Sequence, residues 1–200
     1  MTEIKTVGVI GAGQMGSGIA HVCALAGYNV RLNDISAERI ETAMRNIRAG
    51  LARQASRGII QMEEVDPALA RITAAENLAD IGTSDIAIEA ATENEELKKQ
   101  IFRNLAPHLS DSVLLASNTS SISITRLAST TDRPERFIGL HFMNPVPAMK
   151  LVEIIRGIAT DAPTYELAVN FAQSLGKTTA NAEDFPAFIV NRVLVPMINE

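Results

Sequence analysis

His141 closes the apolar run Phe137–His141 and is followed by Phe-Met-Asn-Pro-Val-Pro. Pro145 and Pro147 force an extended turn there. If residues 150–155 fold back beside 137–141, with the turn centred near Pro147, position 141 faces position 153. That sets Glu153, the carboxylate inside Leu-Val-Glu-Ile-Ile, beside the imidazole. A carboxylate in an apolar strand is costly to bury unpaired, and a histidine is a natural partner. Such a pair fixes the imidazole tautomer and raises its basicity. An imidazole of ordinary pKa, about 6.5, shuttles protons at neutral pH, and general base catalysis typically contributes about 10² to 10⁴ in rate. The other reading of His141 is a hydrogen-bonded strand-end residue with no chemistry.

Two polar clusters are candidates to surround that pair. Ser117-Asn118-Thr119-Ser120-Ser121 reads either as a helix cap with turn residues or as hydroxyl donors facing a cofactor and a reacting oxygen. Glu93, in Glu-Ala-Ala-Thr-Glu-Asn, reads as an acidic residue in a first helical turn, where it complements the dipole. Of the other two histidines, His21 falls in the first helix and His108 reads as solvated beside Pro107.

A second chemistry sits near the start. Gly11-Ala12-Gly13-Gln14-Met15-Gly16 is a G-x-G-x-x-G that follows the apolar run 7–10 and opens a helical pattern. Gly11 makes the tight turn, Gly13 lets backbone reach a pyrophosphate, and Gly16 lets helix and strand pack closely. The diphosphate then sits on a helix N-terminus. Asp34, about 20 positions on at the end of the next apolar run, is the expected ribose partner. Its charge would repel a 2′-phosphate, which favours NAD over NADP. Arg39 softens that preference only if it folds back.

These residues need elements to hold them. Strands are expected at 6–10, 30–32, 71–74, 85–89, 112–116, 137–141, 150–155 and 177–181. Helices are expected from 19 to 27, 37 to about 54 with Ser36 as N-cap, 62–69, 95–105, within 120–128, 163–175 and 188–199. Strands alternating with helices imply an α/β, doubly wound, mostly parallel sheet of Rossmann type. Ligands in such sheets bind beyond the carboxyl ends of the strands. The expected site therefore gathers Gly11, Asp34, residues 89–94, 117–121 and 141–144. Residues 181–187, with Pro186, are the expected domain boundary.

The chain has 200 residues, a formal charge of −5 and a pI near 5.3, with its basic residues scattered. That argues against a nucleic-acid partner. No apolar run approaches the ~20 residues of a membrane span. With a strand expected almost at once, no leader is expected in residues 1–5. Cys23 is the lone cysteine; it reads as a small core residue in a reducing, cytoplasmic setting. The scarcity of aromatics and the absence of Trp argue against a sugar- or base-stacking surface.

Gly-Ala-Gly-Gln-Met-Gly-Ser-Gly-Ile-Ala, Ala-Thr-Glu-Asn, Ser-Asn-Thr-Ser-Ser, Gly-Leu-His-Phe-Met-Asn-Pro-Val-Pro and Phe-Ile-Val-Asn-Arg occur in this order. Together they resemble the L-3-hydroxyacyl-CoA dehydrogenase family, in particular its bacterial 3-hydroxybutyryl-CoA branch. The resemblance implies reversible, NAD-dependent oxidation of an L-3-hydroxyacyl-CoA, an acyl-CoA thioester, to the 3-ketoacyl-CoA. It implies His141 as base, Glu153 as its partner, Ser120 on the substrate oxygen and the cofactor, and Asn191 placing the substrate. It implies Asp34, Glu93, Lys98 and Asn144 as cofactor contacts, a helical insertion over about 36–70, and Arg57 as a CoA contact. Gly50 stands where a polar contact with CoA can occur, and Glu183 and Ala187 stand where the family usually has Lys and Gly. The family continues into an all-helical second domain that closes the cleft and makes a homodimer. The expected domains are thus 1–183, which binds NAD, and 184–200, the truncated start of the helical domain. In that form NAD binding is expected to survive and turnover to be weak. Two other readings compete: a non-catalytic NAD-binding module, and a dehydrogenase of free 3-hydroxy acids. The latter commonly depends on a lysine base, whereas the His141–Glu153 pair favours the thioester.

Overall fold

The runs 7–10, 86–88 and 114–116 are continuous in apolar residues and buried, as central strands covered on both faces must be. The computed structural model describes residues 4–199; residues 1–3 and 200, the outer ends of the two expected domains, lie outside the described residues. The strands are β1 (Thr6–Ile10), β2 (Asn29–Asn33), β3 (Ile72–Ala74), β4 (Ile86–Glu89), β5 (Leu114–Ser117), β6 (Phe137–Phe142), β7 (Leu151–Arg156) and β8 (Thr178–Glu183). They form one sheet in the order β3-β2-β1-β4-β5-β6-β7-β8. β1 to β6 are mutually parallel, β7 runs antiparallel to β6, and β8 is parallel to β7. The order reverses between β1 and β4, the place where such sheets open a crevice.

The helices are α1 (Gln14–Leu25), α2 (Ala37–Ser56), α3 (Val65–Ala70), α4 (Leu78–Gly82), α5 (Glu95–Leu105), α6 (Ile124–Ala128), α7 (Ala162–Ser174) and α8 (Val190–Asn199). One apolar layer joins the sheet to α1, α2, α3 and α7 through residues such as Ile19, Cys23, Leu51, Ala68 and Phe171. The other joins it to α4, α5 and α6 through Ile81, Phe102, Leu105 and Leu127. No described helix is long and apolar enough to cross a membrane.

Several elements differ from expectation. α4 was not expected: five residues are too few for a periodic signal. Its cap was nonetheless written in the chain, with Asn77 Oδ1 accepting from Asp80 N at 3.2 Å and Asp80 accepting from Asn77 N at 3.3 Å. The expected helix 62–69 is a 3₁₀ turn, Met62–Glu64, followed by α3. The last helix starts at Val190 rather than 188, because Ala187 and Phe188 adopt φ of 66° and 49°. β8 continues two residues past the expected 181, to Glu183. Ser36 holds the cap position of α2, but its hydroxyl makes no cap bond.

Phe102 is 1% exposed and meets Phe137 edge-on at 4.7 Å between centroids. Phe102→Ala should cost about 3–5 kcal/mol of unfolding free energy by urea titration; a loss below about 1 kcal/mol would mean the α5 layer collapses around the gap.

Candidate functional site

β1 delivers the chain into a turn that only glycine makes easily. Gly11 has φ of 105°, and a Cβ there would stand 2.7 Å from the Ala90 carbonyl. A Cβ on Gly16 would overlap the Gly11 carbonyl at 1.7 Å, so α1 lies directly on the loop it follows. α1 has no side-chain cap and no acidic residue in its first turn. Its first amides are therefore available to an anion. Asp34, just past the end of β2, accepts from Ala12 N at 2.8 Å and from Ser36 N at 3.3 Å. Arg39 does fold back, to 3.9 Å from Asp34, although 64% of its side chain is exposed. An exposed pair at that distance is weak. A cleft of about 360 Å³ opens beside Ala12, Gly13, Ser36, Arg39 and Thr42.

β4 and β5 end in a buried polar network. Glu89 is wholly buried and accepts from Ala91 N at 2.7 Å, Lys98 Nζ at 2.7 Å and Ser117 Oγ at 2.6 Å. Lys98 also donates to the Ala91 carbonyl at 3.2 Å and stands 3.4 Å from Glu93. Its ammonium is thus engaged beneath the loop. Glu93 is not in the first helical turn: Asn94 caps α5 by accepting from Leu97 N, and Glu93 precedes it. Its Oε1 accepts from Thr119 Oγ1 at 2.6 Å, Ser120 N at 2.8 Å, Ser120 Oγ at 3.1 Å, Ser121 N at 3.2 Å and Ser121 Oγ at 3.3 Å. Burial works to raise the Glu93 pKa, but Thr119, the Lys98 charge and Ser120 outweigh it and hold it low. The serine-rich segment is therefore shaped around a carboxylate.

β6 and β7 pair in the expected register, with His141 opposite Glu153. His141 Nδ1 lies 2.6 Å from Glu153 Oε2. Glu153 has no exposed surface, and His141 is 8% exposed. Nε2 has no hydrogen-bond partner among the described residues. The second Glu153 oxygen accepts from Ile189 N at 2.9 Å and Val190 N at 2.8 Å, the entry to α8. Burial alone would raise the Glu153 pKa; His141 and those two amides outweigh it and hold it below the usual range. Asn191 Nδ2 donates to the Ser120 carbonyl at 3.0 Å, and Gln14 Nε2 donates to Asn144 Oδ1 at 3.0 Å. A cavity of about 560 Å³ collects Met15, Glu93, Ser120, His141, Asn144 and Asn191 on its walls.

The glycine loop, Glu93, Ser120, His141, Glu153, Asn144 and Asn191 thus converge, while Asp34 marks a neighbouring cleft. Arg57 is an exposed residue at the C-cap of α2 and lines neither cleft. Gly50 lets α2 lie against His21, whose Cε1 stands 3.1 Å from where a Cβ would be. His21 itself bonds Gln54 at 2.8 Å and is a core residue, 3% exposed. Sequence reasoning missed Asp184, seen only as boundary polarity. It accepts from Ser123 Oγ, Ile124 N and Thr125 N at 2.7, 2.9 and 2.8 Å, tying the end of β8 to α6. Among the described residues no cluster of three potential metal ligands occurs.

Residues 6–185 match the family of 3-hydroxyacyl-CoA dehydrogenase NAD binding domains. The chain is 60% identical to a 3-hydroxybutyryl-CoA dehydrogenase of Bradyrhizobium diazoefficiens over 98% of its length and 67% of the relative's. It is 40% identical to the mitochondrial hydroxyacyl-coenzyme A dehydrogenase of Rattus norvegicus, covering 98% of this chain and 65% of that one. The crystal structure of an (S)-3-hydroxybutyryl-CoA dehydrogenase from Ralstonia eutropha superposes with a TM-score of 0.96 at 44% identity, covering 98% and 70% of the two chains.

Ala187 carries a methyl at φ of 66°, a conformation that disfavours side chains. Ala187→Gly should raise stability by about 0.5–1 kcal/mol, the relief of strain less the entropy glycine adds to the unfolded chain. Thermal unfolding measures it, and a lowered midpoint would show that the methyl does more good than harm.

Proposed function

The chain belongs to the 3-hydroxyacyl-CoA dehydrogenase family, and from that membership we propose that it interconverts L-3-hydroxyacyl-CoA and 3-ketoacyl-CoA with NAD. The expected substrate is short, 3-hydroxybutyryl-CoA. One observation carries the chemical part of the reading: an imidazole held by a buried carboxylate at Nδ1 presents a free Nε2 to a cavity at the switch point of the sheet.

Each residue has a role in this reading. Glu153 fixes the tautomer with the proton on Nδ1 and stabilises the cation that forms when Nε2 accepts the substrate hydroxyl proton. Ser120 Oγ and the Asn191 amide orient the reacting oxygen. Gly11, Ala12, Gly13, Gln14, Met15 and Gly16 receive the diphosphate at the α1 N-terminus. Asp34 takes the adenosine ribose and disfavours a 2′-phosphate. Asn144, through its bond to Gln14, and Glu93 flank the nicotinamide side; Lys98 acts there through Glu93. Bound NAD supplies the hydride acceptor. Uncapped α1 and the open space at Gly13, where a Cβ would meet nothing within 4 Å, fit that cofactor.

We further infer two domains, 1–183 and 184 onward, with dimer formation through the helical part. The exposed Val193, Leu194, Val195, Met197 and Ile198 of α8 support that reading. A role in fatty acid or butanoate metabolism follows from the substrate class, and the single buried Cys23 suits a cytoplasmic setting.

NADH oxidation with acetoacetyl-CoA, set against free acetoacetate, tests the proposal. Turnover of the thioester alone is expected, and equal or faster turnover of the free acid would overturn it. His141→Gln should lower kcat by about 10² or more, with NAD affinity by calorimetry unchanged. Loss of NAD affinity would make the histidine structural.

A further inference from the structure

Lys177 is a buried cation that the chemistry above leaves unused. It stands immediately before β8 and is 9% exposed. Its Nζ donates to the Val146 carbonyl at 2.6 Å and the Met149 carbonyl at 2.8 Å. Among the described residues no carboxylate pairs with it. The titratable groups that face it, His21 and Cys23, are both on α1, and burial lowers its own pKa. Burying an ammonium without an anion is costly. An apolar side chain of similar length would fill the space at less cost. What the ammonium alone supplies is a pair of charge-assisted hydrogen bonds.

Those bonds fall on the loop that joins β6 to β7. Ala148 N and Met149 N both turn back onto the Pro145 carbonyl. Val146, 2% exposed, seats its side chain where Gly18 of α1 leaves room. Asn144 is held by Gln14 at one end of the loop, and Lys177 holds the other. Met143, Asn144 and Met149 line the same cavity as His141. Two of these three are flexible thioethers, which adapt to whatever they touch unless the backbone fixes them.

We propose that Lys177 is a positioning residue: it clamps residues 143–149 and so sets where Met143 and Met149 stand against the acyl chain, governing chain-length discrimination without touching substrate. The proposal rests on the acyl-CoA reading above.

Two measurements on Lys177→Met test it. In amide hydrogen exchange, Ala148 and Met149 should exchange about tenfold faster, with Ala12 and Ala90 unchanged. In kinetics, the ratio of kcat/KM for acetoacetyl-CoA to that for 3-ketooctanoyl-CoA should shift by about fivefold or more. That ratio is blind to the fraction of folded protein, since misfolding lowers both values alike. Unchanged exchange, or a proportional fall for both thioesters, overturns the proposal. Lys177→Gln keeps a donor for one carbonyl and should show smaller changes of the same kind; it carries both readouts if the methionine variant does not fold. A wild-type protein inactive on both thioesters would remove the acyl-CoA reading, and the exchange result would still decide whether the clamp exists.

Discussion

The Glu153 carboxylate is the interaction on which the rest of the site depends. It is wholly buried, and its two oxygens serve different parts of the molecule. One holds the His141 ring, and the other receives the two amides that lead into α8. An ionised carboxylate in an apolar strand costs several kcal/mol to bury unless it is multiply bonded. Hydrogen bonds to a charged group contribute about 1.5–3 kcal/mol each. Three of them offset the burial, and removing any one leaves a charge short of partners. The imidazole and the C-terminal helix are therefore held by the same atom group. Asn191, next to the amides that Glu153 holds, reaches the Ser120 carbonyl from that helix entry.

The same device recurs in the loops that follow strand ends. Asp34 ties the glycine loop to the end of β2, Glu89 and Glu93 shape the segments after β4 and β5, and Asp184 ties β8 to α6. Each loop after a strand end carries backbone donors that no ladder satisfies. An acidic side chain from a neighbouring loop satisfies several at once. Lys98 is the counter-charge that lets Glu89 and Glu93 stand close together.

Most of the sheet was legible in the sequence, because buried parallel strands are apolar runs between glycines and helical stretches. The His141–Glu153 register was legible too. It follows from the position of the proline turn and the period-two alternation of strands. The second bond of Glu153 was not legible, since backbone amides at 189–190 carry no sequence signature. Asp184 and Lys177 were not legible for a related reason: apart from the Ser123 hydroxyl, their partners are main-chain groups distant along the chain. α4 was too short to show a period, though its Asn-x-x-Asp cap was readable. The left-handed Ala187 was foreshadowed only by the family resemblance, which has glycine there.

The coupling of imidazole and helix through one carboxylate is tested most directly by Glu153→Gln, measured two ways on one sample. Turnover of acetoacetyl-CoA with NADH reports the imidazole, and amide hydrogen exchange at Ile189 and Val190 reports the helix entry. Turnover should fall by about 10² while both amides exchange about tenfold faster. A fall in turnover with unchanged exchange at Ile189 and Val190 would contradict the account, because the helix would then be held by something other than Glu153.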